Sequence, residues 1–170
     1  MKYLLICFIL LSGCVNHQQQ VKSDLYLTEI SDTKIGTVWL KDTANGMLVE
    51  VKLKDLPQGI HGFHVHENPD CSATTNDKGQ IEYAGKAGGH FDPHKTGKHL
   101  GPNGGGHLGD LPYLTVDDKG RVERKFYIKN VEVADFKNRS IMIHLGADNY
   151  KDIPLPLGGG GKRIACGIIM

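Results

Sequence analysis

The hexapeptide Gly62-Phe63-His64-Val65-His66-Glu67 has the alternation expected of a β-strand with one apolar face and one face that carries imidazoles. In an extended strand, side chains two residues apart point to the same face, so His64 and His66 lie together while Phe63 and Val65 point the other way. Imidazole is the commonest metal ligand in proteins and suits both zinc and copper. The stretch therefore predicts half of a metal site, although an HxH pair alone is equally compatible with a purely structural role.

Short alternating runs on both sides of this hexapeptide predict an all-β fold. Residues 47–53 alternate strictly between apolar and polar, and Asn45-Gly46 just before them is a strong hairpin signal. The predicted strands are 25–30, 35–41, 47–53, 61–67, 113–116, 122–128, 140–144 and 164–169. With two long loops, 68–112 and 145–162, they predict an eight-stranded flattened Greek-key β-barrel or sandwich without any helix longer than two turns.

The composition fits one globular domain. The 170 residues are 39% hydrophobic and 23% charged, which supports a single core, and 22 glycines with 7 prolines indicate many turns. A net charge of +1 carries no signature of a nucleic-acid partner or of a polybasic membrane surface. The nine histidines stand out in this composition.

The N-terminus is predicted to be an export and anchoring segment. Residues 3–11 are apolar, and Leu11-Ser12-Gly13-Cys14 resembles the lipobox of bacterial lipoprotein signal peptides. This resemblance implies that residues 1–13 are cleaved, that Cys14 is lipidated, and that 14–23 form a polar tether. An ordinary signal peptide with an unmodified Cys14 is the alternative.

The globular domain is then predicted to span 24–170, in the bacterial cell envelope and facing the periplasm. The lipid at Cys14 is the only membrane association expected, because no second apolar stretch is long enough to cross a bilayer. Val15 rather than aspartate after Cys14 favours the outer membrane.

Cys71 and Cys166 are the two cysteines that remain once the leader is set aside. In an oxidising compartment a disulfide between them is the default inference. It would tie the loop after the HxH strand to the C-terminus and, in the chain-entropy model, stabilise the fold by about 4 to 5 kcal/mol.

Five segments carry a resemblance to a known family. They are Gly62-Phe63-His64-Val65-His66-Glu67, Gly88-Gly89-His90-Phe91-Asp92-Pro93, Gly97-Lys98-His99, Gly106-His107-Leu108-Gly109-Asp110-Leu111 and Arg163-Ile164-Ala165-Cys166-Gly167. In this order they closely resemble the bacterial copper–zinc superoxide dismutases, over essentially the whole mature chain. That family belongs to the known β-sandwich proteins. The resemblance implies an enzyme that converts superoxide to oxygen and hydrogen peroxide and protects the cell envelope from oxidative damage.

Position by position, the resemblance implies one copper and one zinc per subunit. The implied copper ligands are His64, His66, His90 and His144. The implied zinc ligands are His90, His99, His107 and Asp110. The shared His90 would bridge the two metals and act in catalysis together with Arg163 at the mouth of the copper site. Asp148 would link His64 to His99, and Cys71 and Cys166 match the family disulfide.

The donor chemistry agrees with these assignments. Three imidazoles and one carboxylate form the closed tetrahedral set that is typical of structural zinc, and four imidazoles suit copper(II). Copper alone of the two metals is redox-active, so the resemblance implies that it carries the electron while His90 takes up and returns a proton. Arg163 would attract the superoxide anion, whereas Lys151 and Lys162 could add to this field or be ordinary solvated lysines.

Several other features are given lesser roles. His61 and His94 are expected to be structural or loop residues, His17 lies in the tether, and Gly101–Gly106 is a weak match to a phosphate-binding loop. A metal-buffering protein of the same fold is an alternative function. A zinc hydrolase with Glu67 as its base is disfavoured because the zinc set leaves no open position. The sequence leaves both a homodimer and a monomer open.

Overall fold

The computed structural model describes residues 19–30 and 32–170, so the predicted leader, Cys14 and His17 lie outside the described residues. The described chain is all-β apart from short helical turns. Its strands are β1 (Gln20–Leu27), β2 (Lys34–Thr43), β3 (Gly46–Leu53), β4 (Gly59–His61), β5 (Phe63–His66), β6 (Thr74–Thr75), β7 (Ile81–Glu82), β8 (Leu114–Val116), β9 (Val122–Ile128), β10 (Arg139–His144) and β11 (Arg163–Ile169). None of the described helices is long and apolar enough to span a membrane.

One curled antiparallel sheet forms most of the barrel. Seven strands pair in the order β5-β10-β11-β1-β2-β3-β9, and β4 pairs separately with β8. Because β4 runs directly into β5 and β8 leads into β9, the β4–β8 pair connects the two edges of the large sheet. This arrangement confirms the predicted Greek-key barrel or sandwich.

The core follows from the alternation within the strands. On β3, Met47, Val49, Val51 and Leu53 are buried, while the residues between them are partly or fully exposed. Phe63 and Val65 on β5 also enter this core and are fully buried. The predicted division of β5 into an apolar and a histidine face is therefore confirmed.

The predicted strand bounds differ from the observed ones mainly at the start of the chain. The sequence places residues 20–23 in a tether and the first strand at 25–30, whereas β1 spans Gln20–Leu27. Ser23 is fully buried and pairs with Val38 of β2, which explains why polar residues there belong to a strand. The predicted strand 61–67 is interrupted at Gly62, where β4 ends and β5 begins.

Four short elements were not located from the sequence: one hairpin, one turn of α-helix, and the 3-10 helices Gly85–Ala87 and Pro156–Gly159. The hairpin β6–β7 lies inside the predicted loop 68–112. The single helical turn α1 (Val133–Phe136) is closed by a capping box in which Glu132 and Asp135 exchange hydrogen bonds, and it buries Phe136 in the core. Its length agrees with the prediction that no helix exceeds two turns.

The long loop 67–113 covers the free edge of β5. Val65 donates its N–H to the carbonyl of Gly109 and accepts at its own carbonyl from Phe91, both at 2.9 Å. Bridge pairings also set His64 opposite Asp110 and His66 opposite His90. A sheet edge that would otherwise expose unpaired backbone groups is thus satisfied by loop residues, which brings the loop's histidines beside those of β5.

Candidate metal centre

Four histidines from three parts of the chain converge on one point. His64 and His66 come from β5, His90 from the loop, and His144 from the end of β10, and all four are buried. One ring nitrogen of each lies within 4.8 Å of those of the other three. The structure therefore brings together the complete predicted copper set.

Backbone carbonyls fix the tautomers of two of these histidines. His66 donates from Nδ1 to the carbonyl of Gly88 at 2.9 Å, and His144 donates from Nδ1 to the carbonyl of Gly161 at 3.0 Å. A carbonyl only accepts, so Nδ1 of each ring carries the hydrogen and Nε2 carries the lone pair. The two Nε2 atoms lie 3.3 Å apart. Two lone pairs that face each other at this distance in a buried site repel, and a cation between or beside them relieves this repulsion.

The other two histidines also present unpaired nitrogens to the cluster. Nδ1 of His64 and Nε2 of His90 are buried and have no hydrogen-bond partner among the described residues. Buried polar atoms are normally satisfied, so unpaired nitrogens that converge indicate metal ligands. Together with the nitrogens of His66 and His144, they fit a four-imidazole copper site.

The predicted zinc set gathers around the carboxylate of Asp110. Nδ1 of His90 and Nδ1 of His99 each lie 3.0 Å from one of its oxygens, and Nδ1 of His107 lies 3.4 Å away. Nδ1 of His99 and of His107 are also buried without a hydrogen-bond partner among the described residues. Three imidazoles and a carboxylate that point at one another fit a tetrahedral zinc ion.

His107 lies at the margin of this second cluster. The donor atoms found within 4.8 Å of one another there are those of His64, His90, His99 and Asp110, without His107. His64, however, uses Nε2 to bind Asp148, and its free Nδ1 belongs to the four-histidine cluster. We therefore retain His107 as the candidate zinc ligand.

Asp148 forms a hydrogen bond with one histidine of each candidate site. Its Oδ2 accepts from Nε2 of His64 at 2.7 Å, and its Oδ1 accepts from Nε2 of His99 at 2.8 Å. Burial raises the pKa of this carboxyl, but the hydrogen bonds from the two histidines outweigh burial and hold its pKa well below the usual range. The carboxylate is thus ionised, and it fixes Nδ1 of both rings as the free ligand atom.

The electrostatics of the two clusters differ. Burial, followed by the neighbouring imidazoles, lowers the pKa of His66 and of His144 well below the usual value, and burial lowers that of His90 to about 4. Burial also opposes protonation of His99, but Asp110 and Asp148 outweigh it and raise its pKa to about 9. The four-histidine cluster keeps its lone pairs free, and the Asp110 cluster attracts positive charge.

Arg163 stands beside the four-histidine cluster in a fixed orientation. Its two terminal nitrogens donate to the carbonyls of Ala84 and Gly88, both at 2.7 Å.

Cys71 and Cys166 form the predicted disulfide, with Cα atoms 5.8 Å apart. This bond ties the loop 67–113, which also carries both carbonyls, to β11 at a position three residues from Arg163.

The residues given lesser roles lie outside both clusters. His61 is buried, with its ring nitrogens 2.9 Å and 2.8 Å from the carbonyl oxygens of His144 and Pro57, which agrees with a structural role. His94 is exposed on the loop. The carboxylate of Glu67 accepts from the N–H of Gly89 at 3.0 Å, so this side chain stabilises the backbone of the loop.

Three features near the site were missed from the sequence. Asp152 accepts from the backbone N–H of His99 at 3.0 Å, and Tyr150 donates its N–H to Asp148 at 2.8 Å. Lys162, considered above as a charge that attracts substrate, forms an ion pair with Glu29. The available signal for the contact of Tyr150 was Asp148 itself, because an Asp side chain in a loop commonly accepts from the backbone N–H two residues on.

Comparison with known proteins agrees with this geometry. The sequence model of the family described as copper/zinc superoxide dismutase (SODC) matches residues 34–169. A relative from Escherichia coli K12, "Superoxide dismutase [Cu-Zn]", is 40% identical over 166 residues, which cover 97% of this chain and 95% of the relative.

Solved structures show the same fold. The Cu/Zn superoxide dismutase from Brucella abortus superposes with a TM-score of 0.85 at 42% identity, covering 89% of this chain and 100% of that one. The monomeric copper, zinc superoxide dismutase from Salmonella enterica gives a TM-score of 0.75 at 44% identity, covering 90% and 99% of the two chains.

Proposed function

Because the chain belongs to the copper/zinc superoxide dismutase family, its reaction is the conversion of two superoxide anions and two protons to oxygen and hydrogen peroxide, and we propose which residues perform it. Copper is held by the four buried histidines, His64, His66, His90 and His144. Zinc is held by His90, His99, His107 and Asp110. His90 uses one ring nitrogen for each site.

The observation that carries this proposal is the pair of facing Nε2 atoms of His66 and His144, 3.3 Å apart and each fixed as an acceptor by a carbonyl behind it. A purely structural histidine pair would place a donor opposite an acceptor. The lone pairs here support a soft cation that prefers nitrogen ligands, as copper does.

Copper, when bound, supplies the one-electron chemistry of both half-reactions. The protein contributes a proton site at Nε2 of His90, which has no hydrogen-bond partner among the described residues and faces the cluster. On the other side of the ring, Asp110 lies 3.0 Å from Nδ1 and keeps the imidazole in place. His90 thus takes a proton at Nε2 in one half-reaction and gives it to the second superoxide in the other.

Arg163 binds and orients the anionic substrate. Its guanidinium is held by two backbone carbonyls, so it keeps its charge in one position instead of pairing with a carboxylate. Attraction of a small anion by such a fixed charge raises the association rate, an effect for which superoxide dismutases are a well-known example. Among the described ion pairs none involves Arg163, which leaves its charge available to superoxide.

We further propose that the protein is exported and lipid-anchored at Cys14, in the outer membrane and facing the periplasm. Its disulfide supports an oxidising compartment, and the lipobox-like Leu11–Cys14 supports the anchor. Cys14→Ser should release the protein from the membrane fraction into the soluble fraction without changing its activity. Membrane association that survives this substitution would contradict the anchor.

Metal analysis combined with a kinetic assay tests the proposed function. The purified protein should carry about one copper and one zinc per chain and show dismutation that cyanide suppresses. Copper should give an electron paramagnetic resonance spectrum of nitrogen ligation. Arg163→Glu separates an enzyme from a metal-buffering protein, because it should lower kcat/KM by about 10- to 1000-fold and leave copper bound. Unchanged kinetics, or metal content without dismutation, would contradict the proposal.

A further inference from the structure

Tyr150 follows Asp148 by two residues and contacts the loop 67–113 that carries the candidate zinc ligands, called here the zinc loop. Its hydroxyl accepts from the backbone N–H of Tyr113 at 3.0 Å, and the two tyrosine rings are stacked with centroids 5.7 Å apart. Its own N–H donates to Oδ1 of Asp148, the oxygen that also binds His99. One residue therefore contacts the loop of Asp148 and the end of the zinc loop.

The ring of Tyr150 also supports the backbone of the zinc loop directly. A Cβ atom placed on Gly101 would lie 2.5 Å from Cγ of this ring, so only glycine allows the chain to approach so closely. Gly101 in turn donates its N–H to Oδ2 of Asp110 at 3.3 Å. The contact thus continues from the tyrosine ring, through one glycine, to the carboxylate at the centre of the candidate zinc site.

The backbone of Tyr150 is strained. Its φ is +56°, in the left-handed region that bulky side chains rarely adopt. Strain of this kind persists only when the surroundings over-determine the conformation, and it occurs preferentially near functional sites. Since glycine or asparagine would adopt this φ more easily, the side chain of Tyr150 compensates for the strain through its contacts.

We propose that Tyr150 is a positioning residue for the zinc site, which holds Gly101 and Asp148 so that Asp110 and His99 keep the geometry of metal ligands. The inference rests on the proposed zinc site. It predicts that loss of the tyrosine ring weakens zinc binding and changes the ligand geometry, while the copper ligands His66 and His144 are unaffected because neither contacts it.

Cobalt(II) binding to the metal-free protein tests this role. Cobalt replaces zinc in tetrahedral sites and reports their geometry through its visible absorption. Tyr150→Leu should bind cobalt about tenfold more weakly than the parent, the lower end of the effect of outer-shell residues, with a shifted visible band. Tyr150→Phe, which keeps the ring on Gly101, should restore the band and most of the affinity. Tyr127→Leu is the matched control, because Tyr127 lies half-exposed on β9.

Each outcome decides the inference. Cobalt affinity and spectrum equal to those of the parent in Tyr150→Leu would overturn it, even if this variant melts at a lower temperature. If Tyr150→Leu does not fold, Tyr150→Met takes its place: it lacks the ring and must release cobalt to a chelator several-fold faster than both the parent and Tyr150→Phe, and an equal rate overturns the inference. A parent protein that binds no cobalt would instead contradict the proposed zinc site itself.

Discussion

Arg163 and His66 donate to the same acceptor, the carbonyl oxygen of Gly88, at 2.7 Å and 2.9 Å. The group proposed to bind superoxide and a proposed copper ligand are therefore oriented by one backbone atom. The disulfide Cys71–Cys166 attaches the loop 67–113, on which this carbonyl also lies, to the strand of Arg163.

Arg163→Lys tests this shared contact. Lysine keeps the charge but lacks the planar fork that reaches both Ala84 and Gly88, so the charge loses its fixed position. We expect kcat/KM for superoxide to fall by about tenfold, at the lower end of steering effects. Copper content and the copper spectrum should change little. Full activity in Arg163→Lys would show that charge alone is sufficient.

The ion pair between Glu29 and Lys162 involves the residue next to Arg163 in the sequence. Lys162 precedes Arg163, and its charge is compensated by the carboxylate of Glu29. Glu29→Gln should free this charge and raise kcat/KM about twofold at low ionic strength, and the gain should fade toward 0.15 M salt. Glu123→Gln, which breaks an exposed pair with Lys52 on another face, is the control and should have no effect. If kcat/KM is the same in Glu29→Gln and in the parent, Lys162 is an ordinary surface lysine that does not attract substrate.

Asp148→Asn tests the link between the two sites. An amide presents one oxygen and one NH2 group, so it cannot accept from both His64 and His99 as the carboxylate does. We expect the affinity for both metals to fall by about 10- to 100-fold. Competition against a chelator of known affinity measures each loss. Equal affinities in parent and variant would argue against the role of Asp148.

His144→Ala should separate copper from zinc. His144 belongs to the four-histidine cluster and has no contact with Asp110, so its loss should remove copper binding and dismutation while zinc stays bound. Metal analysis after dialysis against a weak chelator gives both contents. His94→Ala, an exposed loop residue, should retain both metals. Loss of zinc with retention of copper would reverse the assignment of the two sites.

Local sequence signals predicted the fold and the chemistry of the site well. The alternation in β3 and the HxH pair in β5 are local properties, and each strand presents the face that its period of two requires. The disulfide was predicted from the two remaining cysteines and is confirmed. The ligands were identified from the family resemblance, because residue spacing alone does not predict that the fold places His90 and His144 beside β5.

Long-range contacts could not be predicted in the same way. The pairings of Glu29 with Lys162 and of Tyr150 with Tyr113 join segments far apart in sequence, and no local period encodes them. The strand character of residues 20–23 was also missed, because Ser23 is polar and becomes buried only through pairing with β2. Tertiary packing thus determines these contacts and the start of β1, which composition and alternation do not predict.

The metal-free protein should lose stability as the pH falls from 7 to 5. Burial depresses the pKa of His66, His90 and His144 in the fold, whereas the unfolded chain titrates near the ordinary value of about 6.5. Below that pH the unfolded state takes up protons that the folded state refuses, so the free energy of unfolding decreases.

His99 acts in the opposite direction, because its pKa of about 9 gives stability that is complete below pH 6.5 and is lost as the pH rises through 9. The buried histidines lower the stability below pH 6.5 and His99 lowers it above pH 6.5, so the net stability of the metal-free protein should be highest near neutral pH. Thermal unfolding of chelator-treated protein between pH 5 and 8 measures the profile. His144→Asn should show a shallower acid slope than the parent, and His94→Asn the same slope. A melting temperature that stays constant or rises from pH 7 to 5 would contradict the proposal that these imidazoles are buried in their neutral form.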